Sequence, residues 1–113
     1  MVLEALKGRS KRIGACPDIG HWLRSGLDPV ESLRKLDGKI YNIHFKDLNI
    51  KGVREAHDVI WGTGILNMEA FLKELKRQKY KGPITIEYEY NWKNSVPDIR
   101  ESLVNFTSFT KNL

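Results

Sequence analysis

The sequence predicts an α/β fold with about three parallel strands and four helices. Three runs alternate apolar and polar residues at period two, which is typical of strands, and they cover residues 12–18, 40–47 and 84–90. Helical patterns separate these runs. Strands that alternate with helices form right-handed βαβ units around a parallel sheet. The chain has 113 residues, so residues 1–113 are expected to form one domain.

Caps and apolar stripes predict the helices. The first covers about residues 2–7. Asp28 as the N-cap, Pro29 as the first helical residue and Glu31 as the third predict the start of the second helix, because this is the arrangement of a capping box. The residues between the first strand and this cap, 18–26, are expected to form a loop.

The second half of the chain repeats this order. Residues 48–64 lack a regular pattern and are expected to form a long loop. Asn67 caps the third helix, whose apolar residues recur at i, i+3, i+4 and i+7. Ser95 and Asp98 predict a capping box for the last helix. The buried stripe of that helix is expected at Ile99, Leu103, Phe106 and Thr110.

Composition and charge narrow the function classes. The chain is 41% hydrophobic and 29% charged, which is typical of a folded domain, and no apolar run is long enough to span a membrane. Its net charge of +5 is spread along the chain, which disfavours nucleic acid as a partner. A single cysteine excludes an internal disulfide and no secretory signal pattern is present, so a cytoplasmic location is expected.

The polar faces of the three strands indicate one candidate metal site. Asp18, His44 and Glu87 lie near the carboxyl ends of neighbouring strands, where parallel α/β proteins place their chemistry. Two carboxylates and an imidazole can bind Mn²⁺, Mg²⁺, Co²⁺ or Zn²⁺ and leave a coordination position for a substrate oxygen. Taken singly, the three residues also have structural interpretations: a turn cap, a satisfied core histidine and a solvated glutamate.

Side chains near this site are candidates for substrate binding. His21 follows Asp18 by three residues and can bind a substrate hydroxyl, whereas an ordinary loop histidine is the alternative. Trp22 and Trp61 can stack on a sugar ring or anchor their loops in the core. Lys46 can stabilise an oxyanion or be a solvated residue at the strand end.

Two short features have structural interpretations. Cys16, on the inner face of the first strand, is expected to be a small packing residue. Gly62-Thr63-Gly64 is too short to indicate a phosphate-binding loop, and it is expected to form a turn that leads into a helix.

These residues occur within motifs that resemble a known family. Asp18-Ile19-Gly20-His21-Trp22, followed closely by residues 24–29, is similar to the sugar phosphate isomerase/epimerase family, whose members have the xylose-isomerase-like TIM barrel. His44-Phe45-Lys46-Asp47, Trp61-Gly62-Thr63-Gly64 and Ile86-Glu87-Tyr88-Glu89 recur there in the same order. The resemblance spans nearly the whole chain. It is specific for the superfamily rather than for a substrate.

The resemblance implies a C-terminal part of a (β/α)8 barrel, corresponding to its last three strands. In the family, a glutamate on the fifth strand and Asp, His and Glu on the next three hold a metal. The last three correspond to Asp18, His44 and Glu87, and the first has no counterpart in this sequence. Glu87 is thereby implied as ligand and catalytic base, and His21 as a catalytic residue that contacts the substrate. Epimerases also carry an arginine shortly after the metal histidine, a role that Arg54 can fill here.

The implied reaction is metal-assisted proton transfer beside a carbonyl of a small carbohydrate, through an enediolate. Only one of the family's two proton-shuttling glutamates is present, so the main alternative is a non-catalytic chain. Such a chain would fold by association with a copy of itself or with an N-terminal barrel half, because its outer strands would be unpaired. Apurinic-site endonucleases of the superfamily share Asp-x-x-His but have Asp-x-His where this sequence has His57-Asp58. Lyases that act on 3-oxo-sugars are a further alternative.

Overall fold

The structure is a computed structural model that describes all 113 residues. It confirms the α/β class, with helices and short strands alternating along the chain. In order, the elements are α1 (Val2–Leu6), α2 (Ile19–Arg24), α3 (Pro29–Lys35), β1 (Ile43–Phe45), β2 (Asp47–Leu48), β3 (Asp58–Val59), α4 (Met68–Arg77), β4 (Ile84–Ile86) and α5 (Val96–Lys111).

The parallel sheet is narrow and open at both sides. β1 pairs in parallel with β4, so that His44 lies opposite Thr85. On its other side the β1 segment pairs with the first predicted strand through two isolated parallel bridges, Ala15 with Ile40 and Asp18 with His44. The predicted parallel order of three strands is therefore confirmed, although the first strand is shorter than expected. Proline at position 17 lacks an N–H, which removes one donor from its ladder.

Residues 18–26 were expected to form a loop, and this prediction is wrong because they contain α2. The Asp18 side chain accepts a hydrogen bond from the His21 N–H and caps this helix. Ile19 and Leu23 then enter the core on the inner side of the helix. A helix of six residues is too short to show a clear apolar period. The N-cap residue Asp18 was therefore the only sequence signal for this helix.

The expected loop at 48–64 contains a small antiparallel hairpin, which the sequence did not predict. β2 pairs with β3, with Asp47 opposite Val59 and Leu48 opposite Asp58. Beyond the ladder, the Asn49 side chain accepts a hydrogen bond from the backbone N–H of His57. With two residues in each strand, neither shows the alternation by which strands are recognised.

The predicted cap and apolar stripe of α4 are both confirmed. The Asn67 side chain accepts from the Ala70 N–H. On its outer side, α4 is joined to α3 by Glu74, a buried carboxylate that binds Arg77 and Arg34. The buried members of the stripe are Met68, Phe71, Leu72 and Leu75.

The predicted buried stripe of the final helix is confirmed in part: Ile99 and Phe106 are half-buried and Phe106 packs against the core, but Thr110 is exposed. Leu103 is 48% exposed, whereas Ser102 is buried and donates to the Asp98 carbonyl. Ser102 Oγ also accepts a hydrogen bond from the Trp61 N–H at 3.1 Å. This small residue lets α5 approach the Trp61 segment closely, which fixes the rotation of the helix. The expected capping box is also wrong, since Ser95 makes no side-chain cap bond.

An apolar groove of about 450 Å³ runs along the free side of the first strand. Eight of its 13 lining residues are hydrophobic, and the lining comes from the segments of α1, the first strand, α2 and α3, with Leu27 from the connection between α2 and α3. Cys16 is exposed there, so its predicted packing role is wrong. No helix of the chain has both the length and the apolarity that crossing a membrane requires.

Candidate metal centre

Three predicted ligand side chains meet at one end of the parallel sheet. Asp18 ends the first strand and caps α2, His44 lies in β1, and Glu87 directly follows β4. One potential ligand atom from each lies within 4.8 Å of the others. The His44 Nδ1 atom is 3.0 Å from Glu87 Oε1. The parallel register produces this convergence, because Asp18 and Thr85 flank His44 on either side.

The donor set fits a single divalent cation. Ligand atoms about 2.1 Å from an ion lie at most about 4.2 Å apart, so a small side-chain adjustment suffices. One imidazole and two carboxylates suit Mn²⁺ and Zn²⁺ in particular. The side chains of Asp18 and Glu87 are 16% and 29% exposed, so the cluster is sheltered but accessible.

The ammonium group of Lys46 lies inside this cluster. Its Nζ atom is 2.8 Å from Glu87 Oε2, 2.9 Å from Glu89 Oε2 and 3.4 Å from Asp18 Oδ2. The Lys46 side chain is 1% exposed, so the interpretation as a solvated strand-end lysine is wrong. Lys46 is thus a buried cation with three carboxylates around it.

These contacts shift the pKa values of two groups. Burial alone would lower the pKa of Lys46, but hydrogen bonds to Glu87 and Glu89 outweigh burial and raise it. Burial alone would raise the pKa of Asp18, but the charge of Lys46 and the His21 N–H together lower it. Both groups are therefore charged at neutral pH.

The structure places His21 and Trp22 at the edge of the cluster. The His21 side chain is largely exposed, and its Nε2 atom is 3.6 Å from Asp18 Oδ2. Trp22 is partly buried against the core and lines the apolar groove beside His21. Both side chains can therefore meet a molecule that enters the cluster from the groove.

Trp61 does not lie where a substrate could reach it, so its predicted stacking role is wrong. Its side chain is 1% exposed and packs edge-to-face on Phe45 at 4.5 Å and on Phe106 at 5.6 Å. The alternative interpretation as a buried loop anchor is confirmed. Arg54 is exposed between β2 and β3, and no ion pair or side-chain hydrogen bond joins it to the cluster.

Asp58 and Arg24 support the segment that carries Glu87 and Glu89, a role that the sequence did not predict for either residue. The buried Asp58 accepts the Glu89 N–H at 2.6 Å, and its other oxygen is 3.5 Å from the Arg24 guanidinium. Burial raises the pKa of Asp58, although the Glu89 N–H partly offsets this. The contact fixes the chain just after Glu87. The one signal in the sequence was Glu89, which shares the polar face of Glu87 at period two.

Asp47 holds the Gly62-Thr63-Gly64 motif, which follows the hairpin, in its turn conformation. Its buried carboxylate accepts backbone N–H groups from Leu48, Gly62, Gly64 and Leu66. Burial raises the pKa of Asp47, and these four hydrogen bonds partly offset the shift. The Gly62-Thr63-Gly64 turn is therefore confirmed as a structural turn, since its N–H groups bind a carboxylate of the same chain.

Comparisons with known proteins agree with this fold. A family model described as xylose isomerase-like TIM barrel matches residues 2–108. An inosose dehydratase from Clostridium botulinum is 33% identical over 64% of this chain. The crystal structure of a xylose isomerase domain protein from Planctomyces limnophilus superposes on 99% of the chain with a TM-score of 0.82 at 27% identity. That of a D-tagatose 3-epimerase-like protein covers 96% with a TM-score of 0.78 at 30% identity.

The chain spans less than half of each of these relatives. It covers 29% of the inosose dehydratase, 44% of the xylose isomerase domain protein and 39% of the epimerase-like protein. The residues that the family model matches, 2–108, include Asp18, His44 and Glu87.

Proposed function

The chain belongs to the xylose isomerase-like TIM barrel family, and from that premise we propose that its cluster is the metal site of an enzyme that moves a proton beside a carbonyl of a small carbohydrate. The proposal depends on one observation, the convergence of Asp18, His44 and Glu87 at one end of a parallel sheet. The epimerase-like and dehydratase relatives support a substrate of the sugar class.

In this proposal Asp18, His44 and Glu87 hold a divalent metal, Mn²⁺, Mg²⁺, Co²⁺ or Zn²⁺. When bound, the metal polarises the carbonyl and the adjacent hydroxyl of the substrate. Asp18 is preset for this task because its other oxygen already caps α2 through the His21 N–H. His44 is held by the ladder on both sides, since its backbone lies between Asp18 and Thr85.

Glu87 moves the proton. In this proposal its partly exposed carboxylate accepts the proton that leaves the carbon beside the carbonyl. Epimerisation also needs an acid on the opposite face of that carbon, and the family's first glutamate, which would supply it, has no counterpart in this sequence. His21, exposed next to Asp18, orients a substrate hydroxyl, and Trp22 borders the path from the groove. Proton removal beside a carbonyl is a step that epimerisation and dehydration of a keto-sugar share, so the proposal covers a lyase as well as an epimerase.

We do not propose the nuclease alternative. A second metal group would require His57 and Asp58, and both side chains are engaged elsewhere. His57 Nδ1 is 2.9 Å from the Asp58 carbonyl, and its ring stacks on Tyr90 at 4.0 Å. The Asp58 carboxylate binds the Glu89 N–H and faces Arg24.

A second proposal concerns assembly, and the open sheet supports it. The free side of the first strand carries no partner strand, and the apolar groove lies against it. We propose that another polypeptide segment covers this side, either a second copy or the N-terminal half of a barrel. Light scattering of the 113-residue chain measures this: a dimer or larger species is expected, and a monomer at high concentration contradicts self-association.

The catalytic proposal is tested by metal binding and by proton exchange. Mn²⁺ is titrated calorimetrically into the chain and its His44→Gln and Glu87→Gln variants, with Glu69→Gln, an exposed carboxylate on α4, as the control. Binding is expected in the chain and the control, and is expected to be lost or strongly weakened in the two site variants. Ketoses are then incubated with the chain in D₂O. Deuterium incorporation that requires both Mn²⁺ and Glu87 supports proton transfer, and tight Mn²⁺ binding without incorporation contradicts it.

A further inference from the structure

We propose that Lys46 and Glu89 form a built-in counter-charge pair that sets how tightly the cluster holds a divalent cation. In this proposal the Lys46 ammonium competes with the cation for Asp18 and Glu87, and Glu89 weakens the competition by holding the ammonium. The inference rests on the proposed function only in taking the cluster as a metal site.

The position of Lys46 makes competition unavoidable. Its ammonium contacts Glu87 Oε2 at 2.8 Å and Asp18 Oδ2 at 3.4 Å, and both carboxylates belong to the candidate ligand set. The lysine side chain is enclosed, since it is 1% exposed and its stem passes so close to Gly20 that an added Cβ there would overlap with it. The ammonium therefore stays beside the carboxylates that a cation would need.

The charges of the cluster leave room for a divalent cation. Three carboxylates surround one ammonium, so two negative charges remain uncompensated. Behind them, the charges of Asp58 and Arg24 cancel. Two residual negative charges are what a divalent cation neutralises, and the ammonium limits how strongly it is attracted.

Glu89 has the right contact to moderate this effect. Its Oε2 atom is 2.9 Å from Lys46 Nζ, and its own side chain is 57% exposed. It lies outside the three-residue ligand group. When the cation takes Asp18 and Glu87, Glu89 remains as the partner of the ammonium, so the buried charge of Lys46 is never left alone.

The test compares Mn²⁺ affinity in single and double variants of the chain. Lys46→Met removes the ammonium with an unbranched side chain, and Glu89→Gln removes its exposed partner. The exposed pair of Lys73 and Glu69 on α4 supplies matched controls, Lys73→Met and Glu69→Gln. Dissociation constants are measured by calorimetric titration, and Mn²⁺-induced shifts in Tm provide a second readout.

Lys46→Met is expected to tighten Mn²⁺ binding at least about tenfold, because a nearby positive charge is removed. Glu89→Gln is expected to weaken it roughly threefold to fivefold, a smaller effect because Glu89 is exposed and screened. The loss of Mn²⁺ affinity caused by Glu89→Gln should be smaller in the Lys46→Met background, because Glu89 then has no ammonium to hold. Both controls should leave the affinity within about a factor of two.

Each other outcome overturns a definite claim. If the unaltered chain binds Mn²⁺ and Lys46→Met weakens binding or leaves it unchanged, competition is excluded while the metal site stands. If neither the chain nor Lys46→Met binds Mn²⁺, the metal site itself is excluded. Should Lys46→Met fail to fold, an unchanged affinity in Glu89→Gln still refutes the moderating role of Glu89.

Discussion

Two carboxylate regions at the same end of the sheet differ in burial and in the number of backbone N–H groups that they bind. Asp47 is buried, and its two oxygens receive four backbone N–H groups at 2.9 to 3.0 Å. Asp18 and Glu87, on the neighbouring strand ends, are partly exposed and share one ammonium. They receive a single backbone N–H between them, from His21 to Asp18.

The difference shows how one chemical group can serve structure or function. The Asp47 oxygens have their lone pairs occupied by the chain itself, so this carboxylate organises a loop and has no capacity left for a ligand. The oxygens of Asp18 and Glu87 keep free lone pairs in a site that an ion can enter. Substitutions that are chemically alike in the two regions should therefore have opposite consequences.

The largest loss of stability is expected from Asp47→Asn. The amide nitrogen would face two of the four N–H donors, and buried donors without an acceptor cost about 1–3 kcal/mol each. The free energy of unfolding should fall by about 3 kcal/mol, measured by urea denaturation at pH 7. Glu55→Gln, at an exposed residue of the turn between β2 and β3, is the control. A loss below about 1 kcal/mol would mean that the loop does not depend on this carboxylate.

The next largest loss of stability is expected from Gly64→Ala, which should lower the free energy of unfolding by about 2 kcal/mol. A Cβ at Gly64 would lie 2.6 Å from the Asp47 Cγ atom and would overlap with one of its oxygens. The comparison variant is Gly8→Ala, where the backbone has φ +70° but nothing lies within 4 Å of the added atom. Gly8→Ala thus measures backbone strain alone, about 1 kcal/mol. Gly64 itself has no positive φ, so its loss should come from crowding, and a loss below about 1 kcal/mol would argue against crowding at Asp47.

A third region, Glu74 between α3 and α4, is expected to lose its contribution in acid. Hydrogen bonds from Arg77 lower the pKa of this buried carboxyl to about 2, against burial, which would raise it. A depressed pKa stabilises the fold above the unfolded value of 4.5, and this stabilisation is lost as pH falls toward 2. Glu74→Gln should therefore cost up to about 2 kcal/mol at pH 7 and much less near pH 2.

The measurement for Glu74 is urea denaturation of the chain and of Glu74→Gln at several pH values between 7 and 2. The difference in free energy of unfolding should narrow across the window from about pH 4.5 downward. Glu69→Gln, which breaks an exposed pair with Lys73, should show little difference at any pH. A gap for Glu74 that stays constant down to pH 2 would show that packing, not charge, explains its role.

Much of the fold could be predicted because long segments with a regular apolar period are recognisable from the sequence. The stripe of α4 and its Asn67 cap were recognised, since ten residues span nearly three turns. The six-residue α2 and the two-residue strands β2 and β3 were not, because they are shorter than one full pattern. Only part of the buried stripe of α5 was predicted, because Ser102 rather than Leu103 is buried, by contact with Trp61, and no local pattern indicates such a distant hydrogen bond.

The residues of the candidate site likewise fall into those that the sequence predicted and those that it could not predict. Asp18, His44 and Glu87 were identified because period two and parallel order place strand ends side by side. The burial of Lys46 and the support from Asp58 could not be predicted, since both depend on contacts across the hairpin and the sheet. Trp61 was assigned two alternatives, and only the packing of Phe45 and Phe106 decides between them.

The smallest stability effect is expected from Asp18→Asn, the same change as at Asp47. Asparagine is also a good N-cap, so it can keep the bond to the His21 N–H that begins α2. The variant loses a partly exposed contact with Lys46, and the free energy of unfolding at pH 7 should change by less than about 1 kcal/mol.

Mn²⁺ binding should respond in the opposite way, because Asp18→Asn removes a charged ligand that the fold does not require. We expect the affinity to fall at least about tenfold in calorimetric titration, while Asp47→Asn, at equal folded concentration, leaves the affinity nearly unchanged. A large loss of stability in Asp18→Asn with unchanged Mn²⁺ affinity would reverse the comparison. It would assign Asp18 to the structure of the sheet and leave His44 and Glu87 too few to hold a cation.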